Sequence, residues 1–371
     1  MPVSRVLVVN AGSSSLKLQV VRGGETVQTD GDGAHVEGWD GRDVAPIAAL
    51  LDAAGPVDAV GHRVVHGGPD MQAPVLVDDG VRDRIAGLVA LAPLHQPRSV
   101  AGIDAARRAV PELPHVACFD TAYHATLPAS AATYALPAAW RERWPEARRF
   151  GFHGLSHAYA ARRAAELLDR SGDGGLRVVT CHLGAGASLC ASLGGRSLDT
   201  TMGFTPLEGL VMATRSGSVD PGLVLWLLIE GGLTADEVSD GLNHAAGLQG
   251  LAGTSDMRAI VESAGSDDTA RLALDVYVHR LVGLAAAMVA ALGGLDALVF
   301  TGGVGEHAPA VRAAAADRLG FLGVGIDLDR NTTVSGGDAA IGTPLGGPAT
   351  LVIEAREDLE IARLTAVAVE G

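Results

Sequence analysis

Two stretches of the chain share one pattern: RVLVVNAGSSSLKLQVV at residues 5–21 and RVVTCHLGAGASLCASL at residues 177–193. Each is typical of a β-strand, a turn of small residues and a second β-strand. The repeat indicates a duplicated unit in two domains, each with a hairpin whose backbone N–H groups can contact phosphate oxygens. The simpler alternative is that Gly and Ser only close tight turns. A third glycine-rich turn, FTGGVGEH at residues 300–307, lies between a strand and a helix pattern and favours phosphate binding.

Apolar runs typical of strands and helical patterns cover most of the remaining chain, which indicates an α/β protein. The predicted strands are residues 3–9, 16–21, 116–119, 178–181, 188–193, 297–301 and 350–353. The predicted helices are residues 98–110, 156–170, 223–230, 256–263, 269–292, 308–319 and 358–369. The charged, proline-containing run WRERWPEARR at residues 140–149 marks a candidate domain boundary.

Composition narrows the class of protein. The 371 residues suffice for two domains, and 48% apolar with 19% charged residues is typical of an enzyme with a large core. A net charge of −15 repels phosphate backbones and anionic lipids, so nucleic acids and membranes are poor partner candidates. The three cysteines lie in apolar runs, which favours reduced thiols and a cytoplasmic location.

Two apolar segments bear on whether the chain is secreted or inserted into a membrane. The N-terminal run at residues 6–9 is too short for the core of a signal peptide. The uncharged stretch at residues 281–295 is shorter than the roughly 18 residues that a bilayer span needs, so we expect a buried helix there.

Common nucleotide-binding motifs are absent or weak in the sequence. The only lysine, Lys17, follows leucine rather than glycine, so the chain has no Walker A loop and is not a P-loop kinase. Gly303, Gly305 and Ala308 loosely match the dinucleotide fingerprint, without a clear ribose-binding acid. A Rossmann oxidoreductase is therefore a distant alternative.

Longer strings carry a specific resemblance. They are VNAGSSSLK (9–17), GHRVVHGG (61–68), APLHQP (92–97), FDTAYH (119–124), FGFHGLSH (150–157), HLGAGAS (182–188), DTTMGFTPLEGLVMATRSGSVDPG (199–222), FTGGVGEH (300–307) and, near the C-terminus, EAREDLEIAR (354–363). Together they closely resemble the acetate kinase family. The resemblance implies an α/β protein with a duplicated actin-like (ribonuclease H-like) fold. Residues 1–148 plus 357–371 would form the N-terminal domain and residues 149–356 the nucleotide-binding C-terminal domain, with the active site in the cleft between them.

The reaction implied by this resemblance transfers the γ-phosphoryl group of ATP to acetate and gives acetyl phosphate and ADP. A carboxylate is already ionised at neutral pH, so this nucleophile needs no general base. Two anions must meet, which requires cationic groups and a metal ion. Arg63 and Arg215 match the two essential arginines of the family, and Arg63 also matches a substrate contact. The alternative for each is a solvated surface arginine or half of an ion pair.

The resemblance assigns four more residues to catalysis and metal binding. His153 matches the histidine that stabilises the phosphoryl group during transfer. Asp120 matches a catalytic aspartate that either orients an arginine or attends the metal. Asn10 and Glu357 match positions at the site of Mg²⁺, for which Mn²⁺ can substitute. Glu357 has an alternative role as an acid that favours the start of an amphipathic helix.

The remaining matched positions are divided between the two substrates. For ATP they are Ser13, Ser15 and Lys17 in the first hairpin, His182, Gly184 and Gly186 in the second, then Asp256, Met257, Arg258, Gly303, Val304, Gly305 and His307. For the acyl group they are Val65, Leu94, Phe152 and Pro206, which the resemblance implies form a pocket for a methyl group. Met257 replaces an aromatic residue of the family and His307 replaces an asparagine, so the choice of purine base stays open.

Alternatives within the same fold differ in the acid or in the chemistry. One methylene group changes binding to an apolar pocket by about 1–3 kcal/mol, so propionate should be a poorer substrate than acetate. A propionate or butyrate kinase is the nearest alternative, and a non-catalytic ATP-binding module is another. The resemblance also implies a homodimer joined through the second domain, for which helix 269–292 is either an interface element or a core helix.

Overall fold

A computed structural model of the protein describes residues 3–12, 15–23, 25–26, 34–93, 95–334, 336–343 and 346–371. The chain forms two compact units. Unit 1 comprises Met1–Ala125, Phe152–Tyr159 and Arg356–Gly371, and unit 2 comprises Thr126–Gly151 and Ala160–Ala355.

A mixed β-sheet forms the centre of unit 1. Its described strands are β1 (Arg5–Ala11), β2 (Ser15–Arg22), β3 (Glu25–Thr26), β4 (Ala34–Glu37), β5 (Ala59–Val64), β6 (Val75–Leu76) and β7 (His115–Phe119). β1 pairs antiparallel with β2 and parallel with β5, and β5 pairs parallel with β7. β3 and β4 extend β2, and β6 extends β7, all antiparallel. The helices of this unit are α1 (Ala45–Ala54), α2 (Asp79–Gly87), α3 (Gln96–Ala109) and the C-terminal α15 (Glu357–Glu370).

Strand β1 is buried on both of its faces, which explains its continuous apolar sequence. Leu7 and Val9 pack with Ile47 of α1 on one face. Val6 and Val8 belong to a second cluster on the other face, which includes side chains of α15. The sheet therefore has helices on both sides, and the ends of its parallel strands are the places left for polar side chains.

Unit 2 repeats this topology. Its described strands are β8 (Arg177–Leu183), β9 (Ala187–Leu193), β10 (Arg196–Thr200), β11 (Ala297–Thr301), β12 (Ala339–Ala340) and β13 (Ala349–Val352). β8 pairs antiparallel with β9 and parallel with β11, and β11 pairs parallel with β13. The order β9-β8-β11-β13 thus reproduces β2-β1-β5-β7 with the same strand directions. The predicted α/β class and the predicted duplication are confirmed.

Most of the remaining helices belong to unit 2. They are α4 (Ala129–Ala132), α5 (Ala138–Arg143), α6 (Gly154–Leu167), α7 (Pro221–Ile229), α8 (Ala235–Asp240), α9 (Gly247–Ala252), α10 (Met257–Ser263), α11 (Asp268–Leu292), α12 (Gly302–His307), α13 (Pro309–Arg318) and α14 (Leu328–Thr333). The first residues of α6 lie in unit 1 and the others in unit 2. Short 3₁₀ turns occur at Leu88–Leu91, Ala122–Thr126 and Gly320–Leu322, and a π-helical turn occurs at Gly241–Ala245.

Among the described helices, α11 alone is long and apolar enough to cross a membrane by length and composition. One side of it is buried inside unit 2, including Leu281, Ala285, Met288 and Leu292. This is the pattern of an amphipathic helix that packs on a core. The helix predicted over residues 269–292 is confirmed, and it includes residues 281–292 of the apolar stretch, while residues 293–295 lie beyond its end.

The segment from Thr126 to Gly151 lies in unit 2, whereas the division drawn from the sequence assigned residues 126–148 to the first domain. Hydrogen bonds explain this placement. The Thr126 hydroxyl donates to the carbonyl of Ser197 in β10 over 2.8 Å, and the backbone N–H of Phe150 donates to the carbonyl of Gly203 over 3.1 Å.

The contact between α15 and the sheet of unit 1 can be tested at Ile361, which is fully buried in the second β1 cluster. We expect Ile361→Ala to lower the free energy of unfolding by about 2–5 kcal/mol, because a cavity would remain where the side chain was. Ile361→Val should cost only about 0.5–1.5 kcal/mol. Urea denaturation followed by circular dichroism measures both values. Equal losses in the two variants would show that α15 does not pack as described.

Candidate active site

Polar side chains of unit 1 converge at the carboxyl ends of its parallel strands. Asn10 is the next-to-last residue of β1, Arg63 is the next-to-last residue of β5, and Asp120 directly follows β7. Glu357 is the first residue of α15. Ligand sites of open α/β sheets form at this edge, beyond the ends of the strands.

The Arg63 guanidinium is the centre of this group. Its Nη2 lies 2.8 Å from Asp120 Oδ2, and its Nε also donates to Asp120, 3.2 Å from Oδ2. On the other side, Nη1 lies 3.5 Å from Asn10 Oδ1 and 3.5 Å from Glu357 Oε2. The fork of donors is therefore fixed by two carboxylates and an amide oxygen. Of the two roles suggested for Asp120, the observed contact is with the arginine.

Burial and charge shift the ionisation of this group in opposite directions. Burial raises the pKa of Asp120, and the nearby Glu357 carboxylate adds to the effect, while Arg63 opposes it. The net result is a pKa of about 6 for Asp120. For Arg63, burial alone would lower the pKa, but the two carboxylates raise it above its ordinary value, so it stays a cation. One cation with two acids leaves a local excess of negative charge, which favours a bound metal cation.

The oxygens in this group fit a magnesium ion. Mg²⁺ prefers oxygen ligands, keeps several waters and usually takes one or two carboxylates together with phosphate oxygens. Asn10 and Glu357 supply an amide and a carboxylate oxygen near Arg63. Among the described residues, no group of three or more His, Cys, Asp and Glu side chains is arranged to hold a metal ion. A site with few protein ligands is therefore the kind that this unit can offer.

His153 has an unusual backbone. Its φ is 56°, in the left-handed region, and its carbonyl accepts a hydrogen bond from His157 at the start of α6. Gly154 follows, and its N–H donates to the carbonyl of Asp120 over 2.8 Å. A Cβ at this glycine would collide with that carbonyl oxygen. Residues in sparsely populated backbone conformations cluster at functional sites, and here the Gly154 hydrogen bond ties the backbone after His153 to Asp120.

The first hairpin brings Lys17 opposite Asn10, since the two residues are cross-strand partners in β1 and β2. Lys17 is exposed, and Ser15 is partly buried at the start of β2. Ser13, the third residue predicted in this hairpin, lies outside the described residues. Of the predicted hairpin contacts, Lys17 thus lies across the strand pair from Asn10, and Ser15 is the first residue of the same strand.

Unit 2 contains a cavity of about 700 Å³, a size typical of sites for ligands such as nucleotides. Seven of the predicted nucleotide residues line it: Gly184, Asp256, Met257, Arg258, Gly303, Val304 and His307. Met257 is buried, and no described atom lies within 4 Å of a Cβ built on Gly303, so the backbone there is open to a ligand. The three separate motifs are therefore brought together by the fold.

Other predicted nucleotide residues of unit 2 do not line this cavity. His182 lies at the end of β8, Gly186 accepts the Gly184 N–H in the turn over 2.9 Å, and Gly305 is buried against β8 and β11. Conversely, sequence reasoning missed Ala185, Ala213 and Tyr277, which do line it. Ala185 and Ala213 carry no chemical signal in a sequence and could have been found only by their nearness to the matched motifs, whereas Tyr277 lies within the helical pattern of α11.

Asp256 and Arg258 also have structural roles at the edge of the cavity. The Asp256 carboxylate accepts the Arg258 N–H over 2.9 Å and so caps α10. The exposed Arg258 side chain pairs with Glu262 over 2.9 Å. Both side chains therefore have protein partners at the edge of the cavity.

Arg215 lies on a loop that touches this cavity. The N–H of Ala213, a lining residue, donates to the carbonyl of Ala185 over 3.0 Å, which joins the loop to the second hairpin. The partly buried Arg215 guanidinium donates to the carbonyl of Pro206 over 3.3 Å and lies 3.9 Å from Met212 Sδ. Burial lowers the pKa of Arg215, and no carboxylate among the described residues forms an ion pair with it. A cation held in this way is suited to an anionic ligand.

Arg312, which sequence reasoning missed, shows the structural alternative. It is 1% exposed and donates to the carbonyls of Gly305 and Glu306 over 2.8 and 2.7 Å and to Asn331 over 2.7 Å. Its hydrogen bonds hold the end of α12, the helix that begins at the cavity. Among the residues that the structure describes, Arg215 has no comparable set of acceptors.

The four residues predicted for the acyl group are only partly placed. Val65 and Phe152 belong to unit 1, where Phe152 is 1% exposed and contacts the His66 ring edge-on at 5.5 Å. Pro206 belongs to unit 2, and Leu94 lies outside the described residues. The methyl pocket, like the cleft between domains, stays a prediction.

Comparisons with known proteins agree with one another. The model of the acetokinase family matches residues 47–363. The acetate kinase of Deinococcus radiodurans is 51% identical over 85% of this chain and 79% of its own length, and that of Leifsonia xyli is 48% identical over 97% and 98%. The crystal structure of Porphyromonas gingivalis acetate kinase superposes with a TM-score of 0.89 at 33% identity, covering 99% of this chain and all of that one. A propionate kinase from Francisella tularensis superposes with a TM-score of 0.87 at 34% identity, covering 98% and 99%.

The ionisation of Asp120 gives a test of the Arg63 group. In metal-free protein, ¹³C NMR titration of labelled aspartate carboxyls should show one residue with a pKa of about 6, and Asp120→Asn should remove that signal. Glu357→Gln should lower the pKa of Asp120, because a neighbouring negative charge is removed while Arg63 remains. An unchanged midpoint in Glu357→Gln would contradict the described arrangement.

Proposed function

The chain belongs to the acetokinase family, and from this premise we propose that it reversibly transfers the γ-phosphoryl group of ATP to the carboxylate of acetate. It is an ATP-dependent carboxylate kinase, and its products are acetyl phosphate and ADP. Its fold is the duplicated actin-like α/β fold, of which the two matching sheets are the halves.

One observation carries the proposal within unit 2. Arg215 is a partly buried cation without an acidic partner among the described residues, on a loop whose Ala213 lines the same cavity as Gly184 and Gly303. Glycine turns present backbone N–H groups to phosphate oxygens, and an arginine fork binds the same oxygens in two places. The cavity is thus suited to a nucleotide whose phosphates face Arg215.

Unit 1 supplies groups for the acid and the metal. Arg63 binds the acetate carboxylate, and Asp120 holds its fork in one orientation before substrate arrives. His153 stabilises the phosphoryl oxygens during transfer, and Val65 and Phe152 contact the methyl group. Asn10 and Glu357 would hold Mg²⁺, or Mn²⁺ in its place. The metal would neutralise charge on the phosphate oxygens.

The protein contributes to this reaction mainly by positioning the two substrates and by stabilising negative charge. An acetate oxygen forms a bond to the γ-phosphorus, and the bond from that phosphorus to the oxygen bridging the β-phosphorus breaks as ADP leaves. The acetate carboxylate is ionised at neutral pH, so no residue must remove a proton. This explains why arginines and a histidine, rather than a general base, form the site.

Two alternative functions, a kinase for a longer acid and a non-catalytic ATP-binding module, can be distinguished by measuring enzymatic activity. A propionate kinase is among the structural relatives at 34% identity, and such an enzyme would need the same charged groups with a larger pocket. A non-catalytic ATP-binding module would need the cavity and its phosphate contacts, but it would not need Arg63, Arg215 and His153 together. Acetate is favoured because the curated relatives with the highest identities quoted above are acetate kinases.

The function is tested by trapping the acyl phosphate with hydroxylamine. With Mg-ATP, acetate should give more acyl hydroxamate per enzyme than propionate or butyrate, by about 10-fold or more for one methylene group. Preference for a longer acid would keep the chemistry and change the substrate. Folded protein that binds ATP but forms no hydroxamate with any acid would contradict the kinase assignment.

The role of Arg215 is tested in the same assay. Arg215→Ala should lower kcat by about 10³-fold or more, since an arginine that stabilises a phosphoryl transition state is worth that much. Arg215→Lys should recover only part of the activity, because an ammonium group lacks the planar fork. The matched control is Arg170→Ala, which removes a surface arginine paired with Asp173 and should leave kcat unchanged. Equal activity of Arg215→Ala and the control would remove Arg215 from the mechanism.

A cytoplasmic location is also part of the proposal. The three cysteines, Cys118, Cys181 and Cys190, are free thiols and are all buried. Burial raises the pKa of Cys118 to about 12 and that of Cys190 to about 11. Unreactive thiols without disulfides suit a reducing compartment.

We further propose a homodimer in which α7 of each subunit contacts a second copy of the chain. This helix carries four large apolar side chains that are 46–72% exposed: Leu223, Leu225, Trp226 and Ile229. Its sequence, PGLVLWLLI, contains no charged residue. A large uncharged apolar face is unusual on a monomer, and a two-fold interface can cover it with the same face of a second copy. Helix α11, the element suggested by the sequence, has one side buried in the core of unit 2.

Association through α7 can be tested by introducing charge. The wild-type chain should elute as a dimer in size-exclusion chromatography with light scattering, and Leu225→Glu with Ile229→Glu should convert it to a folded monomer. Leu167→Glu on α6, at a position that is 39% exposed, serves as the control and should remain dimeric. A monomeric wild type, or charged variants that still form dimers, would contradict the proposed interface.

A further inference from the structure

A polar network in unit 2 has no part in the mechanism described above. It consists of Tyr134, Arg149 and Glu208, which are distant in sequence and meet beside the loop that carries Pro206. We propose that these three side chains position the segment 201–208 and, through the Pro206 carbonyl, the guanidinium of Arg215. They are positioning residues for turnover, and the inference rests on the proposed carboxylate kinase activity.

Glu208 accepts a separate hydrogen bond on each of its carboxylate oxygens. Tyr134 Oη donates to Oε2 over 2.5 Å, and Arg149 Nη2 donates to Oε1 over 2.7 Å. The Arg149 guanidinium also lies 5.6 Å from the centre of the Tyr134 ring, within the range of cation–π attraction. Each member of the network therefore contacts the other two.

The same three side chains fix the backbone around Gly203. Arg149 Nη1 donates to the carbonyls of Thr201 and Met202 over 3.2 and 3.0 Å. The N–H of Phe204 donates to Tyr134 Oη over 2.9 Å. A Cβ on Gly203 would collide with Glu208 Oε2 and Tyr134 Oη, so the chain passes here in direct contact with the network.

Pro206 lies between two fixed points of this segment, the Phe204 N–H and the Glu208 side chain. Its carbonyl accepts the hydrogen bond from Arg215 Nη1 at 3.3 Å. Apart from the Met212 sulfur, this is the described contact that orients the Arg215 side chain. A shift of the segment would therefore move the acceptor on which the Arg215 fork depends.

The network also engages the carboxylate of Glu208, an acid on the segment that contacts Arg215. Glu208 precedes Arg215 in the same motif, and both of its oxygens are occupied by Arg149 and Tyr134. The pair of Arg149 and Glu208 carries no net charge. The cation of Arg215 is thereby left for substrate phosphate rather than for an internal ion pair.

Two substitutions test the inference, Tyr134→Phe and Glu208→Gln. Each should lower kcat/KM for acetate about 10-fold, because misplacement of a positioning group by a fraction of an ångström is costly in phosphoryl transfer. The KM for ATP should change by less than about twofold, since Arg215 is proposed to act on the phosphoryl group during transfer and none of residues 201–208 lines the nucleotide cavity. The double variant should lose little more than either single variant, because both substitutions break one network.

The matched control is Glu166→Gln on α6. Glu166 also accepts from two arginines, Arg162 over 3.2 Å and Arg163 over 2.9 Å, but it has no contact with the segment 201–208. This variant should keep wild-type kinetics. If the KM for ATP rises in parallel with the loss for acetate, the network only stabilises unit 2 and the inference is overturned. Wild-type kinetics in both test variants, or fully additive losses, would also overturn it. A wild-type enzyme without acyl hydroxamate formation would instead overturn the proposed function.

Discussion

The bidentate contact between Arg63 and Asp120 is the interaction on which the polar edge of unit 1 depends. It joins the ends of two parallel strands, β5 and β7, at a point where Asp120 is almost fully buried. A buried carboxylate without a partner would cost several kcal/mol, roughly the penalty measured when one half of a buried ion pair is removed. Asp120 therefore requires Arg63, and Arg63 in turn brings Asn10 and Glu357 within reach of one cation. The organisation of the candidate metal site follows from this single pair.

Three arginines of the chain show how the surroundings of a guanidinium decide its use. Arg63 is balanced by acids, so it is held rigidly and stays charged. Arg312 is satisfied by backbone and amide oxygens, so its role is to hold the end of α12. Arg215 has one carbonyl and one sulfur as neighbours and no acid among the described residues, so its charge is available to a ligand. The sequence alone does not distinguish these three arginines, because their roles follow from the groups that each side chain contacts in the fold.

The duplicated hairpins and the buried helix α11 could be predicted because each is encoded by local periodicity. Strand β5 was not among the predicted strands, although it carries Arg63. Its sequence AVGHRV interrupts the apolar pattern with Gly61, His62 and Arg63, and such interruptions occur where a strand end serves a site. The network of Tyr134, Arg149 and Glu208 was missed for another reason: its members are 59 and 74 residues apart and form no motif. The exposed face of α7 was missed because an apolar helix on the surface has the same composition as one in a core.

The two units also show how one topology came to serve two tasks. In unit 1 the central parallel strands end in Arg63 and Asp120, whose side chains fill the edge of the sheet. In unit 2 the corresponding strand β11 is followed by Gly302 and Gly303, and a cavity of about 700 Å³ lies beside them. Glycine leaves space and exposes backbone N–H groups, whereas arginine and aspartate occupy space and supply charge. The corresponding edges of the two sheets therefore differ: one has a cavity large enough for a nucleotide beside it, and the other carries a fixed set of charged side chains. The difference arises from the residues at the strand ends together with the helices of unit 2 that supply most of the cavity lining.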